Sequence, residues 1–90
     1  MKLAIKNSLD WIGVETELVK LGKMLPEFKH DTTRIINHLR EEVTKLSQLE
    51  VEHRRRNSSA TMSICQRQAD KINLELRKVE QFHLMALLAK

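Results

Sequence analysis

The sequence predicts an all-α protein, an antiparallel three-helix bundle or a helical hairpin with long helices, that dimerises through helix–helix packing. Three observations carry this. The 90 residues include two glycines, one proline, two phenylalanines and no tyrosine, far fewer turn and aromatic residues than a sheet protein uses. Apolar residues recur in alternating steps of three and four, the period of one helix face. A chain of this length buries only roughly 60 to 65% of its unfolded surface, and association of copies is a common remedy for so thin a core.

The first helix is expected over about residues 8–24. Asn7 and Ser8 are good caps, and Asp10, three residues after Asn7, makes a loose capping box that also complements the helix dipole. Trp11, Val14, Leu18, Leu21, Leu25 and Phe28 form its apolar stripe. Pro26 disfavours helical geometry at Leu25, so the helix should stop near Met24, where Gly22 also loosens it.

Asp31, Thr32 and Thr33 are candidate caps for a second helix over about 31–55, with Ile36, Leu39, Val43 and Leu46 as its stripe and Ile35 and Leu49 beside it. Glu41 and Lys45 are spaced for an i,i+4 pair. From Glu50 to Thr61 the only sizeable apolar residue is Val51, and Asn57, Ser58 and Ser59 favour caps over helix interiors, which places a turn at 56–59. The alternative is one continuous helix from Asp31 to Leu88, since the gap holds neither glycine nor proline.

The third helix, about 59–88, carries a seam of Met62, Cys65, Ala69, Ile72, Leu76, Val79, His83 and Ala86. Its first half is expected to be core. Near its end, Phe82, Leu84, Met85, Leu87 and Leu88 add apolar side chains on several sides of the helix. Val79, Phe82, His83, Leu84, Met85, Leu87 and Leu88 are therefore the expected partner or dimer surface, with His83 a polar element able to set register or make the interface pH-sensitive.

Net charge is +4 and spreads evenly, with 5 basic against 4 acidic residues in the first third, 6 against 5 in the second and 5 against 3 in the last. That balance argues against a dedicated nucleic-acid binder. One window departs from it: no acid occurs between Glu52 and Asp70, and Arg54, Arg55, Arg56 and Arg67 lie inside. These four residues are the candidate polyanion or nucleic-acid site.

The segment His53-Arg54-Arg55-Arg56-Asn57-Ser58-Ser59 resembles the phosphoacceptor segment of histidine phosphotransfer domains, which reads His, two residues, Lys or Arg, Gly, then two small residues. The resemblance implies a helical bundle in which His53 is exposed to carry a phosphoryl group and Arg56 stabilises it. It covers seven residues and departs at Asn57, where the family has glycine, and at Arg55, where it has an apolar residue. Trp11-Ile12-Gly13 is similar to the Trp-x-Gly tripeptide of the small secreted helical hairpins of the ESAT type, but it falls at a helix start rather than in an interhelical turn.

No histidine pairs at i,i+4 with another histidine or with Cys65, and Glu50-Val51-Glu52-His53 supplies a single Glu-x-x-His, half of what a di-iron bundle requires. No metal or cofactor is expected. Paired carboxylates, a nucleophile with a base and a glycine-rich phosphate loop are all missing, so catalysis is not expected either. A lone cysteine, no export signal and no apolar run longer than the six residues Leu84 to Ala89 point to a cytoplasmic protein without a membrane span. The leading expectation is a protein–protein interaction or adaptor module that self-associates, its partner a second copy or an unidentified protein.

Overall fold

Asn7 and Asp10 fix the entry of the chain into its first helix. In the computed structural model, which describes residues 3–89, the Asn7 side chain accepts from the Leu9 amide at 3.0 Å, and Asp10 Oδ2 accepts from the amides of Lys6 and Asn7 at 2.7 and 3.3 Å. The capping box is thus formed. A short 3-10 turn, Ser8–Asp10, leads into α1, Trp11–Met24. Trp11, Val14, Leu18 and Leu21 are buried along one face, as their spacing requires.

Pro26 stops α1 where expected, with Leu25 leaving the helical region at φ −128° and ψ 71°. A second 3-10 turn, Pro26–Phe28, runs directly into α2, Lys29–Arg56. Helix two therefore begins two residues before Asp31, and none of Asp31, Thr32 or Thr33 caps it. Asp31 instead pairs with Arg34 at 3.1 Å, and Thr32 is buried. Gly22 is an ordinary helical residue rather than a loose point: a Cβ there would lie 2.8 Å from Thr32 Cγ2, so glycine sets how closely α1 approaches α2.

Asn57 ends α2 in the left-handed region at φ 47° and ψ 46°, a conformation that asparagine tolerates better than most residues. Ser58 caps the next helix, its Oγ accepting from the Ala60 amide at 3.2 Å. Helix α3 is Ser59–Leu88. The turn at 56–59 is real, and the continuous helix from Asp31 to Leu88 does not form. No strand forms among the described residues, and the bundle measures 50 × 17 × 16 Å.

Helix α2 lies at the centre of the packing. It packs against both other helices, whereas α1 and α3 barely meet. The space between them is closed by the N-terminal segment. Leu3 and Ile5 are each only 3% exposed and join the core, while Ala4 between them is exposed, the alternation of an extended strand. Asn73 on α3 clamps this segment at both backbone groups of Ile5: its Oδ1 accepts from the Ile5 amide at 2.8 Å, and its Nδ2 donates to the Ile5 carbonyl at 2.9 Å. Glu80 Oε2 accepts from the Leu3 amide at 2.8 Å.

Candidate functional site

The last turns of α3 are apolar on two faces. At 100° per residue, Val79, His83, Ala86 and Leu87 fall within one arc, and Leu84, Leu88, Met85 and Phe82 fall within the opposite one. The inward arc is occupied: Val79 is buried, His83 is fully enclosed, and Leu87 packs against the core. The outward arc faces solvent, with Met85 71% and Leu88 86% exposed and Phe82 and Leu84 about half exposed. Phe82 also makes a T-shaped contact with half-buried Phe28, ring centroids 5.2 Å apart, which anchors the edge of this face to the 3-10 turn that leads into α2.

Three members of the expected partner surface are thereby corrected. Val79 and His83 are core, Leu87 is half-buried against it, and His83 is not an interface residue because no part of it reaches the surface. Its ring is held at both nitrogens, Nδ1 donating to the Val79 carbonyl at 2.9 Å and Nε2 facing Thr32 Oγ1 on α2 at 3.3 Å. The third-helix seam is also displaced along its length. Met62 is exposed and Cys65 only half-buried, Thr61 is buried in their place, and continuous core runs from Ala69 to His83.

The basic window does not assemble into one patch. Glu52, at the edge of the window, pairs with Arg56 Nε at 2.5 Å and with Arg55 Nη1 at 3.7 Å. Arg54 is exposed and lines an open groove of about 440 Å³ with Asn7, Ser8, Glu50, His53 and Cys65. Arg67 lies eight residues into α3, about 12 Å along its axis from the helix start. Of the four arginines, two share the single Glu52 carboxylate, which offsets one of their two charges, and one is remote.

His53 is half-buried, and its Nδ1 is enclosed without a hydrogen-bond partner among the described residues. A phosphoacceptor of the kind the resemblance implies is exposed, so His53 does not have that placement. Glu50 beside it is engaged by the N-terminal turn, accepting from the Ser8 amide at 3.1 Å and from the Ser8 hydroxyl. Burial and the Glu50 charge both push the Cys65 thiol up from its ordinary pKa, which keeps it protonated and a weak nucleophile. Among the described residues, no group of three His, Cys, Asp or Glu side chains could hold a metal ion.

Sequence reasoning missed one polar centre. Glu42 is buried between α2 and α3, where Gln68 Nε2 donates to its Oε2 at 2.8 Å and to its backbone carbonyl at 2.9 Å, and Lys45 and Lys71 each approach within 3.3 Å. Lys45 therefore pairs with Glu42, not with exposed Glu41. The Gln68 hydrogen bond, followed by the two ammonium groups, outweighs the cost of burial and holds the carboxyl at about 2.

A carboxyl depressed in the folded state contributes stability above its unfolded pKa, and that contribution is lost as pH falls through the folded value. Between about pH 4.5 and 2 the protein is expected to lose up to about 2 kcal/mol at this residue, discounted for the water around both lysines. Urea midpoints measured across that window test this, because Glu42→Gln should flatten the pH dependence while lowering stability at neutral pH.

No family model, curated protein or solved structure matches the chain. No helix among the described residues is long and apolar enough to cross a membrane.

Proposed function

We propose that this protein is a non-catalytic protein–protein interaction module that self-associates through the outward face of the last turns of α3. The supporting observation is that α3 keeps apolar side chains on both faces there. One face is already consumed by the core, and Phe82, Leu84, Met85 and Leu88 remain wet on the other. A lone exposed leucine is ordinary, whereas four apolar side chains on one arc of two helical turns form a patch of the kind that marks interaction sites. Burying two or three of them contributes roughly 3 to 8 kcal/mol before the entropy of association is subtracted. Helix-against-helix packing of two identical faces gives a closed two-fold dimer.

Leu84→Glu with Leu88→Glu is expected to convert a sedimenting dimer into a monomer at micromolar concentration. Because both side chains are solvent-facing, the monomer's unfolding free energy should change by no more than about 0.5 kcal/mol. A wild-type chain that sediments as a compact monomer throughout this range would overturn the proposal. The geometry weakens the polyanion reading, since Glu52 offsets one of the two charges of Arg55 and Arg56 and Arg67 lies apart from them. Binding to DNA that falls steeply with salt and disappears on replacing Arg54, Arg55 and Arg56 by alanine would reinstate it.

A further inference from the structure

The N-terminal segment sits in the bundle much as a peptide ligand sits in a receptor groove. Its two inward side chains, Leu3 and Ile5, are nearly fully buried, and its backbone is read by side chains of another element. Asn73 offers an amide that pairs with both the N–H and the C=O of Ile5, in the manner of a neighbouring strand, and Glu80 takes the Leu3 amide. These contacts recognise an extended aliphatic-x-aliphatic backbone and do not depend on the segment being covalently attached. The tether is short, only Lys6 and Asn7 standing between Ile5 and the turn at Ser8. Because α1 and α3 barely meet elsewhere, an emptied cleft would expose the core side chains that Leu3 and Ile5 now cover.

We propose that the cleft between α1 and α3 is a docking slot for an extended strand, and that the strand it takes in trans is the Leu3–Ile5 segment of a second copy. Each copy carries both the slot and a ligand that fits it, so reciprocal exchange reproduces every contact twice in a closed dimer. The attached segment competes at an effective concentration in the millimolar range. The wild-type chain therefore keeps its own strand at low concentration and exchanges as concentration rises. This surface is separate from the outward face of α3, and the test is run with Leu84→Glu and Leu88→Glu present so that the two associations are read apart.

One chain carries Leu3→Asp and Ile5→Asp, which removes its ligand. The other carries Asn73→Ala and Glu80→Ala, which removes all three side-chain hydrogen bonds to the segment. Each alone should sediment as a monomer, and an equimolar mixture should form a 1:1 heterodimer. A fluorescent peptide of the sequence 2–7 should bind the first chain at least tenfold more tightly than it binds the wild-type chain, and about tenfold more weakly once Asn73→Ala is added.

A mixture that stays monomeric while both chains keep their helical circular dichroism overturns the exchange, even where the peptide binds, since the slot then serves a different partner. Absence of peptide binding to the folded first chain overturns the slot itself. Should that chain fail to fold, the isotope-labelled wild-type chain decides. Millimolar peptide is expected to shift the Leu3 and Ile5 amide signals and leave those of α2 in place, and unmoved Leu3 and Ile5 signals overturn the proposal.

Discussion

Replacing His83 by alanine is expected to destabilise the fold by about 3 to 4 kcal/mol, the largest loss anticipated for a single polar residue in this chain. The ring is fully enclosed, so truncation leaves a cavity that rigid helices on either side fill only in part. It also strips Thr32 Oγ1 of its partner across the α2–α3 interface. For a domain of this size each kcal/mol corresponds to a shift of about 4 to 8 °C, which puts the loss in melting temperature at about 12 to 30 °C.

Cavity and polar contributions separate on a second variant. His83→Leu with Thr32→Val restores most of the volume and leaves no hydroxyl stranded, so it should cost no more than about half as much as His83→Ala. Urea unfolding with a constant slope gives both values. A loss below about 1 kcal/mol for His83→Ala would show that the ring is neither enclosed nor held at both nitrogens.

Gly22→Val is expected to cost about 3 kcal/mol, and Gly22→Ala about 1 to 2 net, although alanine is the better helix former by about 1 kcal/mol. The new Cβ would meet Thr32 Cγ2 at 2.8 Å and Thr32 Cβ at 3.3 Å. Thr32 is buried, and its hydroxyl lies against His83, so it is not free to turn away. Gly13 is the control on the same helix. A Cβ there meets nothing within 4 Å, and Gly13→Ala should stabilise by about 0.5 to 1 kcal/mol.

Thr32→Ser removes the methyl that clashes and keeps the hydroxyl. Combined with Gly22→Ala, it is expected to recover most of the loss, a non-additivity that neither substitution shows alone. Thermal melts of the four variants test the argument. If Gly22→Ala were to raise the melting temperature as Gly13→Ala does, helix α1 would stand farther from α2 than the structure places it.

The helices were legible because their signals are local. Asn7 with Asp10, Pro26, and Asn57 with Ser58 act through backbone groups within a few residues of themselves, and each ends or starts a helix within about two residues of its expected place. The apolar stripes of α1 and α2 are buried as their period requires. The third helix was legible in extent but not in use. Its period identifies a face, while how far along that face the neighbours reach depends on where α1 and α2 end.

Glu42 and the Leu3–Ile5 segment escaped notice for related reasons. A glutamate next to a stripe reads as solvent-facing until Gln68 and Lys71 arrive from another helix, 26 and 29 positions away. Leu-x-Ile alternates too briefly to read as a strand, although a period of two just before a helix cap was the available signal. Among the residues expected at the partner surface, Phe82, Leu84, Met85 and Leu88 kept the exposure expected of them, and Val79, His83 and half-buried Leu87 did not.

By itself, then, the sequence determined an all-helical chain of three segments, where each begins and ends to within a few residues, and which stripe α1 and α2 turn inward, because hydrogen bonding and apolar periodicity act over three or four residues. Tertiary structure alone decided that His83 is sealed against Thr32, that Gly22 lies too close to Thr32 for a side chain, that Glu42 is buried among lysines, and that α1 and α3 are joined by the chain's own extended N-terminal segment. Each of those depends on atoms brought together from distant positions, and no local preference of the backbone encodes that meeting.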